Sequence, residues 1–295
     1  MPDEGRALID RYVEALRDED PHKVDRLIAD TFVEEWPQSG ERILGLANRH
    51  SIAAADPQPR PILTRLRRTL GHGDLWVVEF AAERSNGQPP AFVVQSIGLH
   101  GGKVGHVTTY VGHAFPAPAW REQWVERFEP FAPPTEIPHE HAMTTEEGET
   151  LAKRYVTLDS ERAYDKLQPM RHPRWTAEWP QSGERVPSHA ADEAIHRNYP
   201  GFPDVAMGKA AAESERWAVS PMLIPIRVAG AGNIWVATGL NTYSGGDRFV
   251  VTNIIEFSGR LIRRETMYFV EPSEAPAWRA PWVERYDPFP GQAGS

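Results

Sequence analysis

The sequence predicts an α+β protein of two tandem domains, each a curved antiparallel sheet with its helices segregated at one end. Three observations predict it. The octapeptide Glu35-Trp36-Pro37-Gln38-Ser39-Gly40-Glu41-Arg42 returns letter for letter as Glu178-Trp179-Pro180-Gln181-Ser182-Gly183-Glu184-Arg185, 143 positions later. An identical run of that length establishes an internal duplication before any fold is read. Around it, Arg11-Tyr12-Val13 returns as Arg154-Tyr155-Val156 at the same offset. Pro118-Ala119-Trp120-Arg121 and Trp124-Val125-Glu126-Arg127-Phe128 return as Pro276-Ala277-Trp278-Arg279 and Trp282-Val283-Glu284-Arg285-Tyr286 at an offset of 158, so about fifteen extra residues lie inside the second copy. The third observation is the element order within a copy: helix, helix, strand, helix, then four hairpin-linked strands.

Residues 4–18 carry Leu8, Ile9, Tyr12, Val13 and Leu16 on one stripe with charges opposite, which predicts an amphipathic helix. Pro21 suits the first turn of a second short helix marked by Val24, Leu27 and Ile28. Residues 31–36 have strand composition and end at Pro37, and Ser39-Gly40 supplies a turn, so the octapeptide reads as a strand end running into a loop. A third helix is expected over 44–55, closed by Pro57, Pro59 and Pro61. Strands are expected over 62–70, 75–84, 91–100 and 103–111, separated by Gly71-His72-Gly73, Asn86-Gly87 and Gly101-Gly102. The aromatic, proline-rich tail over 115–131 reads as a set of packing anchors against the sheet or the neighbouring domain. The expected division is a first domain over 1–131, a proline-rich linker over 132–143 and a second domain over 144–295. Thr144-Thr145-Glu146-Glu147 supplies capping chemistry for the second copy's first helix. The extra residues fall near 204–221, where Val205, Met207, Ala210 to Ala212 and Trp217 suggest an added helix, either a lid or a surface element.

At 295 residues, 40% hydrophobic with ten tryptophans, the chain can fill one core in each domain. A formal charge of −9 argues against nucleic acid or an anionic membrane as partner. Arg65, Arg67 and Arg68, the one dense basic cluster, read as a solvated strand face. The absence of cysteine excludes disulfides, thiolate metal sites and cysteine nucleophiles. His139 and His141 form an H-x-H pair with no third ligand at metal spacing, so no metal is expected. With no phosphate-binding glycine loop, dinucleotide fingerprint, zinc motif or nucleophile elbow, no cofactor and no serine-hydrolase chemistry are expected. The N-terminus lacks a basic stretch followed by an apolar run and no segment reaches the length of a membrane span, so the cytoplasm is the expected location.

The element order, the Arg-Tyr-Val of the first helix and the Glu-Trp-Pro-x-x-Gly strand end resemble the nuclear transport factor 2-like superfamily, and more narrowly its SnoaL-like branch. Asn198-Tyr199-Pro200-Gly201 and Tyr268-Phe269-x-x-Pro272 strengthen the resemblance in the second copy. It implies cone-shaped domains, each sheet wrapped around about three helices over a deep apolar pocket. It also implies an internal pseudo-dimer packed sheet to sheet, with further homo-oligomerisation open. The superfamily holds ketosteroid isomerases, polyketide cyclases, epoxide hydrolases, dehydratases and plain binding domains. Tyr12 and Tyr155 match the tyrosine that donates to the substrate oxyanion in the ketosteroid isomerases. Their proton-moving aspartate is replaced by Trp36 and Trp179, and their second aspartate by Gly98 and Ile255. The epoxide hydrolases' last-strand aspartate falls at Thr109 and Met267.

Strand alternation offers another acid. Glu265 shares a face with Met267, whereas its counterpart in the first copy is Val107. On the first strand Trp175, Ala177 and Trp179 share one face, as do Phe32, Glu34 and Trp36 in copy one. The candidate catalytic residues are therefore Glu265, Tyr155 and His196. The candidate ligand-binding residues are Trp175, Trp179, Tyr199, Trp217, Trp235, Asn253 and Met267, with Tyr12 and Trp36 in copy one. Such an aromatic box suits a flat hydrophobic molecule with one or two polar oxygens. Each residue also has a structural reading: the tryptophans as core, His196 as helix surface, Glu265 as an exposed ion pair among Arg260, Arg263 and Arg264. The function expected is binding and transformation of a small hydrophobic metabolite by cofactor-free acid/base chemistry, of isomerase, cyclase, dehydratase or epoxide-hydrolase type. The alternative is a non-catalytic pair of binding or protein-interaction domains.

Overall fold

Both copies build the same sheet, and each sheet is completed by a short strand from the other copy's tail. The computed structural model describes residues 4–18, 21–59, 61–138, 143–200, 223–242 and 247–289. His139, His141, Gly201, Trp217 and the expected added helix near 204–221 lie outside the described residues. Among those described, no helix is long and apolar enough to cross a membrane.

In the first copy α1 (Glu4–Arg17) buries Leu8, Ile9, Tyr12 and Val13, the stripe read from sequence. The short helix α2 (Pro21–Asp25) leads to β1 (Ile28–Trp36), β2 (Glu41–Leu44) and α3 (Gly45–Ala55), followed by β3 (Ile62–His72), β4 (Leu75–Glu83), β5 (Ala91–His100) and β6 (Lys103–Gly112). A 3-10 turn (Ala119–Trp124) and the two-residue β7 (Glu126–Arg127) form the tail. The second copy repeats this order as α4 (Thr145–Ser160), α5 (Tyr164–Leu167), β8 (Arg171–Trp179), β9 (Glu184–Val186), α6 (His189–Arg197), β10 (Leu223–Ala231), β11 (Ile234–Thr242), β12 (Arg248–Ser258) and β13 (Leu261–Val270). It ends in a 3-10 turn (Ala277–Trp282) and β14 (Glu284–Arg285). Thr144 caps α4 in a full capping box with Glu147.

The strand orders are β14-β2-β1-β6-β5-β4-β3 and β7-β9-β8-β13-β12-β11-β10. Neighbours are antiparallel except β1 with β6 and β8 with β13, pairs separated in the chain by a helix and three or more strands. Bulges in the long hairpins bend each sheet around its helices. One bulge overturns a sequence expectation: the register slips between Leu66 and Arg68, and Arg67 and Arg68 are both buried on Glu79, with Arg67 Nη1 donating at 2.7 Å, so they are no solvated face.

The compact units do not coincide with the division of the sequence at 131. Unit 1 is Met1–His113, Phe131–Pro134 and Pro272–Ser295, and unit 2 is Ala114–Pro130 and Thr135–Glu271. The octapeptide explains this exchange, because it is the socket that receives the tail. In unit 1, Arg279 stacks over Trp36 at 4.6 Å and forms a forked ion pair with the fully buried Glu41. The Gln38 carbonyl accepts from Ser273 N at 2.8 Å, the Gly40 carbonyl accepts from Tyr286 N at 3.0 Å, and Arg42 lies over the Tyr286 ring at 4.9 Å. Unit 2 repeats every contact with the other tail. Arg121 stacks over Trp179 at 4.3 Å and forks onto Glu184, while Gln181 and Gly183 accept from Phe115 and Phe128. Gly40 and Gly183 hold φ of 62° and 65°, and a Cβ there would lie 2.6 Å from the Tyr286 carbonyl oxygen and 2.8 Å from that of Phe128. Only glycine meets both demands.

Octapeptide and tail are thus retained together. The residues after Gly40 and Gly183 turn back as β2 and β9 and do not form a loop. A single cleavage between residues 134 and 143 should leave the two pieces associated at micromolar concentration, because each unit then contains both. Size-exclusion chromatography of the nicked protein checks this, and separate elution of the pieces refutes the exchange.

Candidate functional site

Unit 2 encloses a carboxyl group in a cage of donors. Glu265, on β13, is fully buried. Its Oε1 accepts from the Tyr155 hydroxyl and from Trp175 Nε1 at 3.0 Å, and its Oε2 accepts from Asn253 Nδ2 at 2.7 Å. Each donor comes from a different element: α4, β8 and β12. Arg171 opens β8 beneath this group, its guanidinium stacked on the Trp175 ring at 3.8 Å. From there Arg171 Nε donates to the Tyr155 oxygen at 2.6 Å, and Nη2 lies 3.5 Å from Glu265 Oε1. Its Nη1 donates to Asp192 at 2.7 Å and meets His189 Nδ1 at 2.8 Å. His196 Nε2 lies 3.3 Å from the other Asp192 oxygen, with the Tyr164 ring 6.0 Å from the imidazole.

Burial dominates the electrostatics. It pushes the Glu265 carboxyl up to about 7, against the pull of Arg171 and the hydrogen bonds of Tyr155 and Asn253. Burial also holds the Tyr155 phenol well above its ordinary range and pushes His196 below its own, the latter with help from Arg162. For Asp192 burial would raise the pKa, but Arg171 and His196 hold the carboxyl well below the carboxylate range.

A pH dependence follows. Glu265 binds its proton more tightly in the folded chain, so its contribution to stability is fully present below 4.5 and is lost as pH rises through about 7. The loss amounts to about 3 kcal/mol. Asp192 acts only in acid, outside that window. Denaturant unfolding between pH 4.5 and 7.5 should therefore show Glu265→Gln gaining on wild type as pH rises, and a pH-independent difference would refute the burial argument.

Unit 1 carries its acid on the other strand of the same pair. Glu34 is the register partner of Val107, and Ala177 that of Glu265, so the duplicated positions hold acid and apolar residue in reversed order. Glu34 Oε1 accepts from Trp36 Nε1 at 2.9 Å and Thr109 Oγ1 at 3.1 Å, and Oε2 lies 4.0 Å from Arg49. Gln95 donates to Thr109 at 3.3 Å, and burial raises the phenol of the adjacent Tyr12.

The structure brings Glu265, Tyr155, Trp175 and Asn253 into direct contact, and places Met267 on the same face beside Asn253. Tyr155 directs its proton at Glu265, so it positions the acid and is not free to serve an oxyanion. His196 is linked to Glu265 through Asp192 and Arg171 and does not touch it in the contacts of the Glu265 cage. Tyr199 packs edge-on against Trp120 of the tail at 5.2 Å. Trp235 donates to the Gly232 carbonyl at 2.9 Å and presses on Gly148 and Gly230, where any Cβ would clash, and Trp76 is bonded to Gly73 in the same way in unit 1. Trp235 is therefore a packing residue. Sequence reasoning did not single out Arg171, Asp192 or Glu34 as functional. The signal was a change of charge between copies, since Arg171 matches Ile28 and Asp192 matches Arg49.

No family model and no curated protein matches the chain. Solved structures do. A nuclear transport factor 2-like protein from Burkholderia xenovorans is 34% identical, with 42% of this chain and 95% of that one covered and a TM-score of 0.39. A candidate ketosteroid isomerase from Kribbella flavida is 24% identical (48% and 90% covered, TM-score 0.37), and a candidate polyketide cyclase from Pseudomonas putida is 21% identical (36% and 90%, TM-score 0.32). Through its identity to nearly the whole Burkholderia protein, together with the duplicated motifs and the two mixed sheets, the chain belongs to the nuclear transport factor 2-like proteins.

Proposed function

We propose that unit 2 binds a small hydrophobic molecule and moves a proton on it without a cofactor, in the manner of the isomerases and cyclases of the SnoaL-like branch. The observation that carries this is the buried Glu265 carboxyl, which titrates near neutrality inside a cage of three donors. An acid/base group is most useful when its pKa lies near the working pH. As a carboxylate, Glu265 takes a proton from an activated C–H of the ligand, and the electron pair remains on the ligand, delocalised into its electron-withdrawing group. Returning the proton to another carbon isomerises the ligand. If the carbanion first attacks an electrophilic carbon of the same molecule, a ring closes and Glu265 protonates the oxygen that forms. Tyr155, Trp175 and Asn253 fix the carboxylate between these steps, and Arg171 holds Tyr155 in turn.

The test is solvent exchange. Wild-type protein in deuterium oxide is incubated with a panel of apolar carbon acids, cyclic ketones and nitroalkanes among them, and deuterium uptake is followed by proton NMR. Exchange above the buffer rate supports the reading. A Glu265 that serves only to tie α4, β8 and β12 together gives the buffer rate throughout.

A further inference from the structure

Copy one shows what is missing around one tryptophan of copy two. In unit 1 the indole N–H of Trp36 donates to Glu34 Oε1 at 2.9 Å, with Arg279 stacked on the ring. In unit 2 the matching Trp179 sits in the same socket under Arg121, but Ala177 stands where Glu34 does. Among the described residues Trp179 Nε1 has no hydrogen-bond partner, in a side chain only 6% exposed. A buried donor left unpaired is costly and calls for an explanation.

The surroundings supply one. Ala177 is the register partner of Glu265, and Met267, two residues along β13, is that of Asn253. Alternation therefore puts Ala177, Trp179, Glu265, Met267 and Asn253 on one face. Trp179, Glu265 and Asn253 are buried there, whereas Met267 is half-buried. The face is thus reached at Met267, an unbranched side chain that can swing aside.

We propose that Trp179 is a ligand-recognition donor: in unit 2 an uncharged carbonyl oxygen of the ligand takes the place that the Glu34 carboxylate oxygen holds in unit 1. Unit 2 then receives a flat, apolar carbonyl compound, and unit 1 is filled by its own side chain. The inference rests on the proton-moving reading of unit 2 for the kind of molecule bound, and adds which group is recognised and by what. The charge follows from the neighbours. Glu34 is held by the Thr109 hydroxyl with Arg49 nearby, and the matching residues of unit 2 are Met267 and Asp192. A ligand carboxylate would meet a thioether and two acids, Asp192 and Glu265, with Arg171 already bonded to both Tyr155 and Asp192. A neutral carbonyl accepts from the donor and carries no charge for the two acids to repel. The carbon beside a carbonyl is also the acidic one, and Glu265 stands on the adjacent strand, about 5 Å across the sheet.

The test uses the full chain, labelled with nitrogen-15 at its indoles, and three bicyclic probes: α-tetralone with a neutral carbonyl, tetralin with no oxygen, and 1-naphthoate with a carboxylate. The Trp179 indole resonance is assigned from its loss in Trp179→Phe. Tetralone is expected to bind once per chain and shift that resonance, with tetralin and naphthoate each about tenfold weaker. Ala177→Gln brings an uncharged carbonyl to Trp179 from within the chain, and is expected to block tetralone. If that variant does not fold, Trp179→Phe decides instead, with tenfold weaker tetralone and unchanged tetralin binding. Equal affinity for all three probes, two equivalent sites per chain, unimpeded binding to folded Ala177→Gln, or no tetralone binding up to millimolar concentration overturns the proposal. Glu265→Gln separates the two claims. An intact Trp179 shift with no deuterium exchange in wild type removes the proton-moving reading alone, whereas exchange that depends on Glu265 without a Trp179 shift removes this inference alone.

Discussion

Glu265→Gln should lower solvent exchange of an activated C–H between about 10²- and 10⁴-fold while leaving the fold intact, the range expected when a positioned general base is removed. The substitution keeps the side chain's length and leaves one oxygen to accept from Tyr155 and Trp175. Its new NH2 would face the Asn253 NH2. Asn253 can answer by rotating its amide, because its Oδ1 is buried and has no partner among the described residues. Arg171 loses a counter-charge at 3.5 Å but keeps Asp192 at 2.7 Å, so no cation is stranded. The proton acceptor disappears and the scaffold does not. The readout is the ratio of exchange rates above pH 7, where wild-type Glu265 is largely ionised, together with the melting temperature. Unchanged exchange in a folded variant would remove Glu265 from the mechanism, and adding Val107→Glu in the first copy should not restore it.

The fold was legible in the sequence where structure is local and repeated. Helix α1 and the hairpins β3 to β6 lie within two residues of their expected bounds, since each is marked by its own periodicity and punctuated by its own glycines. The short strands β2, β7, β9 and β14 were not legible. Glu126-Arg127 and Glu284-Arg285 are charged dipeptides with no intrinsic reason to be strands, and they exist because a socket accepts them. The exchange of tails was hidden for a related reason: the two tails carry the same anchoring residues, Arg121 and Arg279 among them, and local sequence carries nothing to choose between the two octapeptides. In the site, alternation on β8 and β13 placed Trp175, Glu265 and Met267 on one face. Arg171 was obscured by lying in a run with His172 and Arg174 at the start of a strand, where charge normally signals solvent. Glu34 was visible on the same face as Trp36, but its role depends on Thr109, which β1 meets only because it pairs with the distant β6.

Arg121→Ala should destabilise unit 2 by about 3–5 kcal/mol, the usual consequence of removing one partner from a buried ion pair. Glu184 is fully buried, and Arg121 Nε donates to it at 3.0 Å as part of a fork. Arg127 remains 3.8 Å away and is half-exposed, so it offsets part of the loss and sets the expected value at the lower end of that range. At that size the melting temperature falls by roughly 10 °C. Loss of the guanidinium also uncovers the face of Trp179, over which it stacks at 4.3 Å, so the indole should become mobile and tetralone binding should weaken together with stability. The double variant Arg121→Ala, Glu184→Gln isolates the contribution of the buried charge. With no carboxylate left to bury, it should recover much of the lost stability, although the stacking on Trp179 stays absent. A single variant that costs under 1 kcal/mol, or a double variant no more stable than the single, would show that the tail is not anchored through this pair. Arg279→Ala should do to unit 1 through Glu41 what Arg121→Ala does to unit 2, but it should spare the Trp179 indole resonance, because the site of unit 2 contains none of its contacts.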